Sequence, residues 1–227
     1  MTVVVIRPEP GCSATVAAAQ KLGLPATDHP LFTVQPLPWT VPECAAFDAV
    51  LIGSANAVRH AGPQLAGLQG KPVYAVGEAT ANACGDAGLS PILRGTGDMQ
   101  DMVESINPQH RNLLRLAGEE RTMLQLPPDY MLTERVVYRL VAQPLPLEVA
   151  KILSGNALVV LHSSSAARHF SSECSRLGIP RKAIAIAAIA PRVAEAAGSG
   201  WAACACAQTP DDAALLALAC QMCQTDN

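Results

Sequence analysis

The sequence predicts an α/β protein made of two similar parallel-sheet domains that a two-stranded linker joins. Short apolar runs alternate with helical patterns along the chain, which is typical of parallel sheets with helical crossovers. Part of this pattern also repeats, because Gly53–His60 aligns without gaps with His162–His169. Between the two copies lies a strictly alternating segment, Arg135–Val141, which is typical of a half-buried strand.

Composition and length exclude several classes of protein. The chain has 227 residues, of which 50% are apolar and 15% charged, so it is not disordered. This length suits two domains of about 100 residues each. A net charge of −3 without a Lys/Arg run gives no reason to expect nucleic acid. No apolar run is long enough to predict a membrane span, and no signal peptide is recognisable, so we expect a cytoplasmic protein.

Four of the eight cysteines have a spacing that superficially resembles a zinc site. They are Cys204, Cys206, Cys220 and Cys223. The first pair lies in an apolar strand-like run and the second pair ends an Ala/Leu-rich helix. In a reducing compartment cysteine serves as a small apolar residue at such positions. We therefore expect no metal at these cysteines.

In the first half, apolar runs predict the strands and local stop signals predict the helices. Strands are predicted at Val3–Ile6, Ala26–His29, Phe47–Ile52, Lys71–Val76, Ser90–Leu93 and Asn112–Leu116. Helices are predicted at Ser13–Leu22, after Gly53, after Gly77 and at Met99–Ile106, with Asp98 as an N-cap. The prolines of Leu31–Pro38 exclude a central strand and indicate an edge-like linker.

The second half contains only three clear strands of its own. Strands are predicted at Ala157–Leu161, Ala183–Ile189 and Trp201–Ala207, and the last helix, Ala213–Cys223, follows a cap at Pro210–Asp212. Three strands are too few for a typical open sheet, so the N-terminal strands are expected to complete it. The predicted domains are 1–30 with 143–227, discontinuous, and 38–133, inserted. The predicted linker strands are 31–37 and 134–142.

The alternating segment Arg135–Val141 carries a tyrosine, Tyr138. Strict alternation places Val136, Tyr138 and Leu140 on one face of the strand and the remaining residues on the other. Tyr138 is expected to face the cleft between the two domains. A tyrosine packed in the core stays open as the alternative. A phenol that is shielded from water can donate a proton.

Six loops follow the carboxyl ends of predicted strands, where open parallel sheets bind ligands. They are Arg7–Gly11, Gly53–Ala57, Gly77–Thr80, Ala117–Glu120, His162–Ala166 and Ala190–Arg192. These loops are rich in small and hydroxyl residues and precede helices, which favours an anionic ligand. The alternative that Ser54 and Ser163 only cap helices stays open. No dinucleotide, phosphate-loop, serine-hydrolase or zinc-protease motif is present. His162 at a strand end is a better site candidate than His60 or His169, but we do not expect it to act.

The ordered set of loops resembles the uroporphyrinogen-III synthase family along nearly the whole chain. The matching segments are Arg7-Pro8, Gly53–Val58, Val76–Ala81, Leu116–Glu119, Arg135–Tyr138, His162–Ser165 and Ile189–Pro191. The resemblance implies two flavodoxin-like α/β domains, the first discontinuous, joined by two strands. It also implies cyclisation of hydroxymethylbilane to uroporphyrinogen III in haem biosynthesis, with loss of water and inversion of ring D and without cofactor or metal.

The resemblance also implies roles for residues of the loops. Tyr138 is the expected catalytic residue. The expected substrate-binding residues are Arg7, Ser54, Ala55, Gly77, Thr80, Gly118, Ser163, Ser164 and Arg192. The expected partner is a linear tetrapyrrole polycarboxylate, bound by a monomer without nucleic acid or membrane. A transient contact with the preceding pathway enzyme stays open.

Two other functions compete with this interpretation. A non-catalytic two-domain protein that binds an anionic small molecule would share the hinge and the cleft, but would normally carry an export signal. A nucleotide-dependent enzyme would normally carry a glycine fingerprint or a phosphate loop.

Overall fold

The computed structural model describes residues 1–95 and 99–224, so the predicted N-cap at Asp98 lies outside the described residues. The strands are β1 (Thr2–Val5), β2 (Ala26–Asp28), β3 (Phe32–Pro36), β4 (Ala49–Ile52), β5 (Val73–Val76), β6 (Pro91–Gly95), β7 (Asn112–Gly118), β8 (Met131–Ala142), β9 (Ala157–Leu161), β10 (Ile184–Ala188) and β11 (Ala203–Cys206). The α-helices are α1 (Gly11–Lys21), α2 (Ala55–His60), α3 (Glu78–Asp86), α4 (Met99–Glu104), α5 (Leu147–Leu153), α6 (Ser164–Arg176), α7 (Pro191–Ala197) and α8 (Asp212–Gln224). Short 3-10 segments occupy Cys44–Ala46, Gly62–Leu68 and Arg181–Ala183.

The chain divides into two compact units. Unit 1 comprises Met1–Thr33 and Val141–Asn227, and unit 2 comprises Val34–Leu140. The sheet of unit 1 has the strand order β11-β10-β9-β1-β2, and its neighbouring strands pair in parallel. The N-terminal strands β1 and β2 therefore share a sheet with the three C-terminal strands. Every residue of β9 is buried, as expected for a parallel strand covered on both faces.

The second sheet has the order β3-β8-β7-β4-β5-β6, with parallel pairing from β8 through β6. Apolar residues cover both of its faces. One core cluster joins β4, β5 and β7 to α2 and α3, and a second joins β4 and β5 to α4. The predicted α/β fold class with parallel sheets is confirmed. Among the described residues, no helix has the length and apolar character needed to cross a bilayer.

The strict alternation predicted for Arg135–Val141 is wrong at Val137. Ala117 pairs with Val136, but Gly118 pairs with Tyr138, so β8 contains one extra residue at this point. Such a bulge interrupts the alternation of side chains between the faces. Val137 and Tyr138 are consequently both buried, 0% and 9% exposed, and both belong to the same core cluster.

Candidate functional site

Six predicted site residues of unit 2 follow or flank strands that are neighbours in its sheet. The strands β8, β7, β4 and β5 are consecutive, so the loops after β7, β4 and β5 lie along one edge. Tyr138 pairs with Gly118, the last residue of β7, and therefore lies at the same level. This edge carries Tyr138, Gly118, Ser54, Ala55, Gly77 and Thr80.

Tyr138 packs in the core of unit 2 and keeps a hydroxyl that can still donate. Its ring lies 6.4 Å from that of His60, between centroids. A Cβ on Gly118 would lie 2.7 Å from Tyr138 Cζ and 2.9 Å from its hydroxyl oxygen, so only glycine leaves room for the ring. Within residues 1–95 and 99–224, the hydroxyl has no hydrogen-bond partner. The core packing thus fixes the ring without engaging the proton.

The two helix starts at this edge differ in how they are capped. Ser54 accepts a hydrogen bond from Asn56 N at 3.2 Å and caps α2, which agrees with the capping alternative. Gly77 precedes α3 with φ of 79° and offers no side-chain cap. The N–H groups in the first turn of α3 can therefore bind an anion. Thr80, in the first turn of α3, is buried with 4% exposure.

The predicted site residues of unit 1 also follow consecutive strands, β10, β9 and β1. Ser163 accepts a hydrogen bond from Ala166 N at 3.1 Å and caps α6. Ser164 Oγ donates to the backbone oxygen of Arg192 at 3.2 Å, which joins two of the loops. The Arg192 side chain is exposed and forms no ion pair among the described residues.

Arg7 is engaged by an acid that the sequence pattern did not identify as a partner. Its NH1 atom donates to both carboxylate oxygens of Asp212, at 2.9 and 2.8 Å. Thr15 Oγ1 donates to the same carboxylate at 3.0 Å. Asp212 lies 205 positions from Arg7, so no local motif links the two. Arg7 is consequently held in place, with its charge balanced before any ligand binds.

His162 completes this cluster. Its Nε2 atom lies 3.4 Å from Asp212 Oδ1, and Nδ1 has no partner among the described residues. Burial lowers the pKa of His162 below its ordinary value, which the neighbouring Asp212 only partly offsets. Burial alone would raise the pKa of Asp212, but His162 and Arg7 outweigh it and hold that pKa low. At neutral pH the cluster thus combines a neutral imidazole with an ion pair.

A second charged cluster, also missed by the sequence pattern, lies in unit 2. Glu134 on β8 binds Arg115 and Arg121. Burial lowers the pKa of Arg115, and Glu134 partly restores it. For the carboxyl, partial burial would raise the pKa of Glu134, but Arg121 and Arg115 outweigh it and keep that pKa below its usual value.

The cysteines with zinc-like spacing belong to no cluster of potential metal ligands in the described part of the chain. None of the eight cysteines forms a disulfide in the described structure, and Cys204 is exposed on the edge strand β11. No group of three or more His, Cys, Asp or Glu residues among those described is placed to hold a metal ion.

One family model matches most of the chain, and solved structures share its fold. The model of the family described as uroporphyrinogen-III synthase HemD matches residues 13–217. The fold is similar to the crystal structure of uroporphyrinogen-III synthetase from Helicobacter pylori (18% identity, 97% of this chain and 99% of that chain, TM-score 0.64). It is also similar to a mutant uroporphyrinogen III synthase from Thermus thermophilus (20% identity, 99% of each chain, TM-score 0.59). No curated protein matches the sequence.

Proposed function

Since the chain belongs to the uroporphyrinogen-III synthase family, we propose a mechanism for it as the lyase that cyclises hydroxymethylbilane to uroporphyrinogen III. The observation that carries this function is the family match over residues 13–217. The α/β fold with loops at the carboxyl ends of parallel strands suits a polyanionic substrate, because helix starts present backbone N–H groups there.

Tyr138 is the proposed proton donor. Its phenol protonates the terminal hydroxyl of hydroxymethylbilane, the C–O bond breaks, and water leaves while the adjacent pyrrole becomes a protonated, cationic azafulvene and the tyrosine a phenolate. The substituted carbon of ring D attacks this azafulvene, and a spiro intermediate rearranges to the inverted ring. Rearomatisation releases one proton, which restores the phenol. The partnerless hydroxyl of Tyr138, within the described residues, and its position beside Gly118 support this role.

Substrate binding is proposed to rest mainly on backbone N–H groups of the loops. Gly77 and Thr80 offer the uncapped start of α3, while Ser54 and Ala55 stand at the start of α2. Gly118 contributes its backbone at the start of the loop next to Tyr138. Orientation of the substrate by such fixed donors lowers the barrier to ring closure.

In unit 1 the proposed binding groups are Ser163, Ser164, Arg192 and Arg7. Exposed Arg192 is free to meet a carboxylate. Arg7 binds Asp212 through NH1 alone, which leaves the other edge of its guanidinium for a substrate carboxylate.

We also propose that the enzyme acts as a cytoplasmic monomer without cofactor, and that it meets the enzyme that supplies its substrate only transiently. Eight cysteines without a disulfide among the described residues support a reducing compartment. The proposed domain limits are 1–30 with 143–227 and 38–133, with 31–37 and 134–142 as the linker strands. Light scattering during gel filtration tests the monomer, since a mass of twice 23.6 kDa would contradict it.

Product analysis tests the function. The purified chain is incubated with hydroxymethylbilane, and the oxidised products are separated into uroporphyrin isomers I and III. An excess of isomer III over an enzyme-free control supports the proposal. Binding of the substrate without isomer III would instead support the non-catalytic ligand-binding protein.

A further inference from the structure

We propose that Glu134 is a positioning residue for catalysis, because it fixes the loop after β7 and, through that loop, Tyr138. This inference rests on the proposed role of Tyr138. In the proposed role Glu134 does not contact the reacting atoms. It acts through two arginines, Arg115 and Arg121, and together the three residues form the Glu134 clamp.

Each carboxylate oxygen of Glu134 binds a different arginine. Arg115 NH1 donates to Oε1 at 3.0 Å. Arg121 donates to Oε2 through Nε at 3.1 Å and NH2 at 3.0 Å. Arg115 is buried, 5% exposed, and the Glu134 side chain is 27% exposed, so solvent screens this pair less than a surface ion pair. The geometry therefore fixes both guanidinium groups.

The same two arginines also hold the backbone of the loop. Arg115 NH1 donates to the carbonyl of Thr122 at 2.8 Å. Arg121 NH1 donates to the carbonyl of Glu119 at 3.0 Å. Glu134 thus fixes the loop at two points, on either side of Glu120.

The loop is in turn bonded to the backbone of Tyr138. Glu119 N donates to the Tyr138 carbonyl at 2.9 Å, and Gly118 packs directly against the tyrosine ring. Arg115 and Glu134 are register partners in the paired strands, and the bulge that turns Tyr138 follows a few residues later. A shift of the clamp would therefore displace the loop and the tyrosine together.

The connection between β7 and β8 contains no helix that could fix its position by packing on the sheet. Parallel strands are usually joined through a helix, but residues 119–130 contain none. Side chains anchor the connection in place of a helix. Gln100 holds Gln125 through two hydrogen bonds, and the Glu134 clamp holds the end of the connection nearest Tyr138. The clamp is the part of this anchoring that lies at the proposed catalytic edge.

Asp48 provides a matched control at the opposite end of β7. Its carboxylate accepts hydrogen bonds from Arg111 N at 2.9 Å and Asn112 N at 2.8 Å. It anchors the amino end of the strand, away from Tyr138. Loss of either anchor loosens β7, but only loss of the Glu134 clamp should disturb the proton donor.

The test compares Glu134→Gln with Asp48→Asn in steady-state kinetics with hydroxymethylbilane. We expect Glu134→Gln to lower kcat by about tenfold with KM changed less than about twofold, and Asp48→Asn to leave kcat within about twofold. Glu134→Asp, which keeps the charge, should recover part of kcat. If Glu134→Gln fails to fold, Arg121→Gln breaks the more exposed half of the clamp and should lower kcat in the same way.

A double-mutant cycle with Tyr138→Phe identifies the route of the effect. If Glu134 acts through Tyr138, the kcat of the double variant should lie within about twofold of the kcat of the slower single variant. If the double variant instead loses kcat by the product of the two single losses, the inference is overturned. An unchanged kcat in Glu134→Gln or in Arg121→Gln would also overturn it. A wild-type chain that forms no isomer III would overturn the proposed function itself, which is a different result.

Discussion

The two units each contain an arginine–carboxylate cluster, but the clusters join very different parts of the chain. In unit 1, Arg7 and Asp212 are 205 positions apart and link the end of the first strand to the last helix. In unit 2, Arg115 and Glu134 are only 19 positions apart and link neighbouring strands. Loss of the first should mainly affect folding stability, whereas loss of the second should mainly affect catalysis.

The largest stability effect is expected from Asp212→Ala. The change leaves Arg7, Thr15 and His162 without their shared partner. It should lower the free energy of unfolding by about 2–3 kcal/mol, since partial exposure moderates the loss. Urea denaturation measures it. The adjacent Asp211 caps α8 through Ala214 N at 2.8 Å and bonds the nearby Thr209, so Asp211→Ala should shift the urea midpoint much less. Equal shifts in the two variants would contradict the role of the cluster in unit 1.

Gly118→Ala should affect unit 2 in both stability and catalysis. The new Cβ would lie 2.7 Å from Tyr138 Cζ, so the ring must move, with a loss of about 1–3 kcal/mol for the overpacked site. We expect kcat to fall by about tenfold as the hydroxyl leaves its position. Denaturation and kinetics on the same preparation measure both changes. Gly155→Ala in unit 1 is the control, because its Cβ would have no contact closer than 3.8 Å.

Gly77→Ala should have a smaller effect, through the backbone alone. Gly77 has φ of 79° and ψ of 153°. Alanine adopts this conformation only with strain, so the loss should be about 1–2 kcal/mol. No atom would meet the new Cβ. Within α3, Gly85→Ala also meets open space and should stabilise by about 0.5–1 kcal/mol. Two changes of the same sign in thermal unfolding would refute the assignment of strain to Gly77.

The smallest effect is a pH dependence that differs between the units. Burial lowers the pKa of His162 in the folded chain, so the unfolded chain binds more protons and stability falls as pH drops below about 6.5. His162→Gln should flatten the decline between about pH 7 and about pH 5.5. Burial also lowers the pKa of His60 in unit 2, but less of that ring is enclosed. His60→Gln should therefore flatten the decline of stability with falling pH less than His162→Gln does. A steeper decline in His162→Gln would contradict the neutral buried imidazole.

Local sequence signals predicted much of the fold and the helix starts. Apolar runs such as Ala157–Leu161 indicated buried parallel strands, and Ser54 and Ser163 were recognised as possible caps. The bulge at Val137 could not be predicted, because it depends on the register between β8 and β7.

The charged clusters could not be predicted either, for the same physical reason. Asp212 stood out only as part of a helix cap, and nothing near it in the sequence indicates Arg7. Glu134 and Arg115 meet because they are partners in a parallel pair whose register no short motif records. The loops of the site could therefore be predicted from the sequence, whereas the long-range contacts between its charged side chains could not.

The role of Tyr138 can be tested by the rate at which the Tyr138→Phe variant forms uroporphyrinogen III. The substitution removes only the phenolic oxygen, and that hydroxyl has no partner in the described part of the chain, so folding stability should stay within about 0.5 kcal/mol. We expect kcat to fall by at least about tenfold, because general acid catalysis is lost. A wild-type rate in a folded Tyr138→Phe variant would contradict Tyr138 as the proton donor.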